Sequence, residues 1–445
     1  MKEKTILAVL ISALIFPSAC KNKENSGEVK EIYYLNFKPE AADTYKEVAK
    51  EYEKETGVRV KIVTAASGTY EQTLKSEVAK KDAPVIFQVN GPVGYSAWKD
   101  YCADLKDTAL YEHLNDKSLA IISGDGVYGI PYAVEGYGII YNDALMKKYF
   151  ALDSKETNFK SMDEIDSFAK LKSLAEDMQK KKDELGIQGA FAATSLGSGE
   201  QWRWQTHLAN IPFYYEFKEE KPDENTVLTA LDKKSVQFSY NQNYKKIFDL
   251  YLQNSVCDPK LLGTKSVADS MADFALERCA MVQNGDWAWS QIADVSGNRI
   301  AEENVKLLPI YADFADEETQ GLCVGTENYF AINKKLTPEM QQAGIDFLEW
   351  LFTSEKGKDF VSKKLGFNAP FDTFSEDQRP VDPLSREVSR YLNSDKKNIE
   401  WTFAGFPSED FKNMFGDALL QYAQGTQNWD YVVNVVKTAW QDQKS

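Results

Sequence analysis

A chain of 445 residues exceeds the length over which a single hydrophobic core keeps growing, so we expect two or more domains. Apolar residues form 43% of the chain and charged residues 27%, which excludes an extensively disordered protein. The 68 acidic side chains outnumber the 52 basic ones and leave a formal net charge of -16, which argues against nucleic acid as a partner.

The first 19 residues have the layout of a secretory signal peptide. MKEKT carries two lysines, the apolar run ILAVLISALIF is too short to span a bilayer, and PSAC ends the run with small residues. Cys20 resembles the acylated cysteine of a bacterial lipoprotein, although Pro17 stands where such sites usually carry leucine, and residues 20–30 form a polar tether. We predict lipidation of Cys20 and a location on the outer face of the cytoplasmic membrane. A plainly cleaved signal with an incidental cysteine is the alternative.

Strand and helix patterns alternate after the tether. EIYYLNF predicts a strand, Pro39 opens an amphipathic helix that ends at Gly57, and VRVKIV predicts the next strand. A second helix over roughly residues 70–81 leads into PVIFQV, a continuous apolar run typical of a buried parallel strand. This order predicts an α/β fold, with a parallel sheet covered by helices.

The next segment, GVYGIPYAVEGYGIIYN, contains two strand-like runs on either side of Glu135. It contains no flexible linker, so a strand can carry the chain between domains here. Residues 162–186, 236–252 and 338–365 have helical periodicity, and VKLLPIY and ENYFAINK are the last clear strands.

Motifs of the common enzyme classes are absent or misplaced. The two histidines, His113 and His207, have no HExxH partner, and GDGVYG fits GxGxxG but precedes a strand where a dinucleotide site requires a helix. No metal-ligand spacing links the four later cysteines, Cys102, Cys257, Cys279 and Cys323. They can be disulfides or free thiols. We predict no enzymatic activity, no cofactor and no metal, with a secreted carbohydrate-active enzyme as a less favoured alternative.

Two tryptophans follow a turn signal in NGDWAWSQI, residues 284–292. At a strand-to-helix turn Trp287 can present its ring to a cleft while Asn284 and Asp286 hold hydroxyl groups, and we expect Trp289 to pack inward. A ring beside hydrogen-bonding groups suits a neutral polyol, whose C–H faces stack and whose hydroxyls bridge polar side chains. The alternative is that both are ordinary core tryptophans.

VQNGDWAWSQI resembles the segment of maltose-binding-type periplasmic proteins that supplies a sugar-stacking tryptophan. GIPYAVEGYGIIYN resembles the first hinge segment of the same family, whose glutamate bonds sugar hydroxyls, and the resemblance spans nearly the whole mature chain. It implies a periplasmic-binding-protein-like fold with two α/β lobes, a strand hinge and a cleft between them. It also implies a monomeric receptor that binds an oligosaccharide and hands it to the permease subunits of an ABC importer. The same fold binding a non-sugar solute such as a polyamine is the alternative.

Carried onto this chain, the resemblance makes Trp287 the stacking platform and Glu135 the hydroxyl acceptor, with Asn36 and Lys38 in the loop after the first strand. Asn90 lies in a loop that lacks the Trp and Asp-Arg of the maltose binder, which argues against maltose itself. Five further residues fall where such lobes line the cleft: Trp202, Trp204, Tyr137, Asp286 and Glu327. The implied first lobe comprises residues 31–136 and 311–350, and the second comprises residues 137–310 and 351–445. Chain crossings are expected at AVEGYG and near LLPIY.

Overall fold

The computed structural model describes residues 29–66, 68–326 and 328–444, so the predictions for the signal peptide, for Cys20 and for Glu327 lie outside the described residues. Its strands form two separate sheets. No helix in the described ranges is both long enough and apolar enough to cross a membrane.

Short strands and helices alternate in the first part of the chain. The elements are β1 (Glu31–Asn36), α1 (Ala42–Thr56), β2 (Arg59–Thr64), α2 (Tyr70–Glu77), β3 (Ile86–Asn90), α3 (Gly91–Trp98), α4 (Ala109–Glu112), β4 (Ile121–Ser123) and β5 (Gly126–Pro131). The predicted strand–helix–strand order is confirmed, although the second helix ends at Glu77 and not near residue 81.

The middle of the chain is richer in helices. It comprises β6 (Glu135–Asn142), α5 (Asp143–Phe150), α6 (Phe168–Lys180), α7 (Lys182–Leu185), β7 (Gly189–Phe191), α8 (Ala209–Glu220), α9 (Thr226–Asp232), α10 (Asn241–Gln253), α11 (Val267–Ala275), β8 (Cys279–Gly285), α12 (Trp289–Ala293), β9 (Val305–Leu308) and β10 (Gln320–Gly325).

The last part of the chain contributes to both sheets. It comprises β11 (Asn328–Ile332), α13 (Pro338–Thr353), α14 (Glu355–Asp359), α15 (Pro383–Leu392), β12 (Lys397–Glu400), α16 (Glu409–Ala423) and α17 (Trp429–Gln443).

The first sheet has the strand order β2-β1-β3-β11-β5-β4. β1 runs parallel to β2 and β3, as predicted, whereas β11 enters antiparallel between β3 and β5. The second sheet has the order β12-β10-β6-β8-β7, with β9 also paired to β6. Because β8, β9 and β10 all pair antiparallel with β6, this strand is the centre of the second lobe.

The chain passes between the two sheets three times. The first crossing lies between β5 and β6, and the second lies between β10 and β11. The third lies between Phe371, which is in the core of the first lobe, and Leu384, which is in a core cluster of the second lobe. The first crossing is the one predicted at AVEGYG. The sequence predicts the second crossing near LLPIY, and that position is wrong because β9 and β10 both pair with β6.

The lobe boundaries shift accordingly. Residues 311–325 had been placed in the first lobe, but β10 lies in the second sheet. Residues 351–371 had been placed in the second lobe, but Leu351, Phe352 and Val361 are buried in the core of the first. The first lobe therefore comprises residues 31–131 and 328–371, and the second comprises residues 135–325 and 383–440.

The four cysteines of the described ranges are free thiols, and three of them, Cys102, Cys279 and Cys323, are buried. The free-thiol alternative is therefore the one that the structure supports.

Candidate ligand-binding cleft

The crossings bring the ends of several strands to one place between the sheets. In the first sheet, β1 ends at Asn36 and β3 ends at Asn90. In the second sheet, β6 begins at Glu135, opposite Gly325 at the end of β10, and β8 ends at Gly285. Because ligands of open α/β sheets bind at such strand ends, this region is the candidate ligand-binding cleft.

A buried ion pair joins the first lobe to the start of β6. Nζ of Lys38 lies 2.6 Å from Oε1 of Glu135 and 3.5 Å from Oε1 of Glu40, and both Lys38 and Glu135 are 6% exposed. Burial alone would lower the pKa of Lys38, but the carboxylates of Glu135 and Glu40 more than offset that effect and raise it. Lys38 is therefore a charged donor held beside a carboxylate acceptor.

Asn36 positions Lys38 and has no hydrogen-bonding capacity left for a ligand. Its Nδ2 donates to the Lys38 carbonyl at 2.7 Å and to Oγ1 of Thr64 at 3.1 Å. Its Oδ1 accepts from the Lys38 amide at 3.1 Å and from the Tyr34 hydroxyl at 3.2 Å. The side chain is also fully buried, so the structure places Asn36 behind Lys38, and direct contact with the ligand stays a prediction.

Asp286 adds a second buried carboxyl group to the cleft. It follows β8 directly, and its Oδ1 accepts a hydrogen bond from the Gly136 amide at 3.4 Å. Burial holds the pKa of Asp286 well above its usual range, and repulsion from the carboxylates of Glu135 and Asp382 raises it further. Asp286 therefore adds a second buried carboxyl group beside the Lys38–Glu135 ion pair.

The Asn-Gly-Asp-Trp sequence explains how the Trp287 ring is held. Trp287 lies in a 3-10 turn over Asp286–Ala288, and its Nε1 donates to Oδ1 of Asn284 at 2.8 Å. A Cβ atom at Gly285 would overlap the indole, so the ring can lie against the backbone only because residue 285 is glycine. The half-buried ring is held by one hydrogen bond and by its close approach to the backbone at Gly285.

Five rings from four separate segments form a cluster that we call the aromatic box: Tyr137, Trp202, His207, Trp287 and Trp401. The centroid of the Trp287 ring lies 5.9 Å from Trp202 and 5.4 Å from His207. It lies 6.3 Å from both Tyr137 and Trp401. Tilted and edge-on pairs at these distances stabilise the cluster. The side chains of Trp202 and Trp287 are only partly buried, so both can present some ring surface to a ligand.

Arg203 lies beside the aromatic box and is 4% exposed. Its Nε donates to Oδ1 of Asn284 at 3.2 Å, and its guanidinium carbon lies 3.8 Å from the centre of the Trp202 ring. Burial, reinforced by the Arg203 charge, holds the pKa of His207 well below its usual range. The imidazole is therefore neutral and contributes to the box as an aromatic ring.

The lobes touch each other on both sides of this region. A Cβ atom built on Gly68 of the first lobe would lie 2.7 Å from the Cα of Gly199 in the second. A Cβ atom on Gly91, at the start of α3, would lie 3.5 Å from that of Ala404. These backbone contacts bring the lobes together around the cleft.

The family model of bacterial extracellular solute-binding proteins matches residues 47–382. The chain belongs to this family. It is 24% identical over 154 residues to the melibiose/raffinose/stachyose-binding protein MelE of Bacillus subtilis strain 168. That alignment covers 34% of this chain and spans only 36% of the length of MelE.

Solved structures show the same fold over nearly the whole length of this solute-binding protein. A sugar transporter protein from Bacillus licheniformis in complex with stachyose is 17% identical, with a TM-score of 0.68, and the match covers 93% of this chain and 100% of that one. A chitin oligosaccharide binding protein is 15% identical, with a TM-score of 0.70 and coverage of 94% and 99%. The predicted periplasmic-binding-protein-like fold with two α/β lobes is confirmed.

The cleft of this solute-binding protein brings together six of the residues selected from the sequence: Lys38, Glu135, Tyr137, Trp202, Asp286 and Trp287. Asn90 is half-buried between β3 and α3, and its role stays a prediction. Trp204 is fully buried in the second lobe, where its Nε1 donates to the carbonyls of Thr194 and Ser195. The prediction that Trp204 lines the cleft is therefore wrong. Trp289 is half-buried and packs partly against a core cluster of the second lobe.

Three cleft residues were not selected from the sequence: Arg203, His207 and Trp401. Trp401 is the first residue after β12 and Trp287 is the second residue after β8, so an aromatic residue just after a strand was the available signal. The sequence gives His207 no role in the cleft, whereas the structure places its ring in the aromatic box. In the described ranges no group of three or more His, Cys, Asp or Glu side chains is placed to hold a metal ion.

Proposed function

We propose that this solute-binding protein is a lipid-anchored extracellular receptor that binds an oligosaccharide in its cleft and delivers it to the permease of an ABC importer. The observation that carries the proposal is the aromatic box beside the Lys38–Glu135 ion pair and Asp286. Cys20 would supply the anchor.

The chemistry of the cleft suits a sugar. The partly buried rings of Trp202 and Trp287 offer apolar faces of the kind that stack on the C–H face of a pyranose. Lys38, Glu135 and Asp286 offer an ammonium donor and two carboxyl groups, which matches the paired hydroxyls of a polyol. Mostly apolar walls with a few polar groups are typical of small-molecule sites.

The names of the related proteins support an oligosaccharide and differ on which one. MelE is named for melibiose, raffinose and stachyose, one of the similar structures holds stachyose, and another is described as a chitin oligosaccharide binder. We therefore propose the ligand class and leave the particular sugar to experiment.

Two alternatives are less favoured. A polyamine would meet the positive charges of Lys38 and Arg203 inside the cleft, and the carboxylate of Glu135 is already engaged by Lys38. A carbohydrate-active enzyme would share the aromatic rings and would release products from the sugar. A binding protein would return the sugar unchanged.

Calorimetric titration of the mature protein with raffinose, stachyose, chitin oligosaccharides, malto-oligosaccharides and spermidine tests the proposal. We expect saturable binding of at least one oligosaccharide and none of spermidine. Chromatography of the recovered sugar should show no new products. Binding of spermidine without any oligosaccharide, or the appearance of cleavage products, would reject the proposed function.

A further inference from the structure

Arg203 is a buried charge without an opposite charge beside it. Among the described residues no carboxylate forms an ion pair with its guanidinium. By contrast Arg278 pairs with Asp273 at 3.1 Å and Arg390 pairs with Glu387 at 2.7 Å, although both of those arginines are exposed. A buried charge is normally paired, because the hydration it loses must be replaced. The most buried of the arginines compared here therefore lacks a carboxylate partner among the described residues.

The donors around Arg203 are also largely unused. A guanidinium carries five N–H donors, and the described residues provide an acceptor for one of them, at Asn284. In the same aromatic box Nε1 of Trp401 is buried and has no acceptor in the described ranges. A ligand that satisfies these donors must bring acceptor oxygens to this end of the cleft.

A neutral hydroxyl group could accept a hydrogen bond from Arg203, but it would leave the positive charge of the guanidinium uncompensated. Burial lowers the pKa of Arg203 to about 9, and the carboxylates of Glu200 and Glu40 offset only part of that effect. Glu40 is in addition held 3.5 Å from the Lys38 ammonium. An anionic oxygen group on the ligand would supply the negative charge that the described residues do not place beside Arg203.

We propose that the bound oligosaccharide carries an acidic group, either the carboxylate of a uronic acid or a sulfate ester, and that Arg203 binds it. Stacking on Trp202 uses a face of the guanidinium and leaves its in-plane donors for a bidentate contact with two anionic oxygens. The neighbouring sugar rings then reach Trp287 and the Lys38–Glu135 pair. This inference rests on the proposed function and narrows its substrate class.

Pairs of oligosaccharides that differ only in charge test the inference on the wild-type protein. Galacturonate oligomers, mannuronate oligomers and glucuronate-substituted xylo-oligosaccharides are each titrated beside their neutral methyl esters, and sulfated galacto-oligosaccharides beside their desulfated forms. We expect the acidic member of at least one pair to bind about 30-fold more tightly or better at neutral pH. The pair that responds distinguishes a carboxylate from a sulfate.

Substitutions of Arg203 and of Arg390 show whether Arg203 causes the preference for the acidic oligosaccharide. In Arg203→Gln the preference for the acidic member should shrink to within about threefold of none, because the charge is gone. Arg390→Gln is the control, since Arg390 also stacks on a neighbouring ring, 4.4 Å from the centre of Tyr391, but is exposed and paired with Glu387. It should keep the full preference. Arg203→Lys, which retains the charge, replaces Arg203→Gln if that variant does not fold, and should retain part of the preference.

Each outcome decides between the two proposals. Equal affinity for acidic and neutral members in every pair overturns the inference and leaves the proposed function intact. If the preference persists at full strength in Arg203→Gln, another residue binds the acidic group, and this outcome also overturns the inference. If no oligosaccharide of any charge binds, the proposed function fails and the inference fails with it.

Discussion

Removing the Trp287 ring should weaken sugar binding and the fold by free energies of similar size, and only the loss of binding is specific to this ring. The indole is half-buried, so roughly 50 to 100 Å² of its aromatic surface is left to stack on a sugar. At about 25 cal/mol per Å², the loss of that contact in Trp287→Ala amounts to roughly 1.2 to 2.5 kcal/mol. The dissociation constant should therefore rise roughly 8- to 70-fold in calorimetric titration with the best oligosaccharide.

The effect of Trp287→Ala on stability can be estimated separately. Truncating a fully buried tryptophan costs about 3 to 5 kcal/mol, and a half-buried ring should cost about half as much. Oδ1 of Asn284 would still accept from Arg203 and from the Gly285 amide, so no buried acceptor is left without a donor. Urea denaturation of the ligand-free protein measures this quantity.

Trp350→Ala is the matched control. The Trp350 ring is also half-buried and its Nε1 also donates to a side-chain oxygen at 2.8 Å, but it lies on α13 and bonds Glu55 of α1, both in the first lobe. We expect a similar loss of stability with unchanged affinity. Normal binding by Trp287→Ala, or an equal loss of affinity in Trp350→Ala, would refute the stacking role.

Four further results are expected. Below about pH 6.5 the unfolded chain takes up a proton at His207 that the folded chain excludes, so the free energy of unfolding should fall as the pH drops, by up to about 1.4 kcal/mol per pH unit. The fall should be smaller in His207→Gln. Identical slopes for the two proteins in urea denaturation would contradict this. Gly68→Ala should weaken ligand binding by about tenfold because its methyl group meets Gly199 across the cleft, whereas Gly425→Ala, with a similar positive φ and open space around it, should not. Closure of the lobes predicts a smaller radius of gyration with saturating ligand, and X-ray scattering curves that superimpose would argue against it. Cys20→Ala should release the protein from the membrane fraction, and the prediction fails if the wild type is released as fully.

Much of the fold could be predicted because its signals are local. The strand EIYYLNF, the helix after Pro39 and the strand VRVKIV each carry their own periodicity within a few residues. The crossing between β10 and β11 could not be predicted in that way. Residues 320–332 form two strands separated by two residues, and their apolar pattern does not reveal that one strand pairs with β6 and the other with β3.

The same difference between local and long-range signals decides which residues of the candidate site could be predicted. Trp287 and Glu135 could be selected because each stands in a recognisable local segment. Arg203, His207 and Trp401 reach the cleft through pairings between distant segments, which leave no local trace. The error at Trp204 had a physical warning: residues two apart on a helical turn do not share a face, so Trp202 and Trp204 could not both point to the cleft.

The position of β11 also has a consequence for how the chain folds. β11 lies between β3 and β5 in the first sheet, yet nearly half of the chain separates β5 from it. Until Asn328–Ile332 has been synthesised and inserted, β3 and β5 have no common partner, and the first lobe exposes unpaired strand edges. Pairings between such distant residues slow folding because a long loop must close first. We therefore expect the first lobe to fold more slowly than a lobe of the same size whose strands pair only with near neighbours in the sequence.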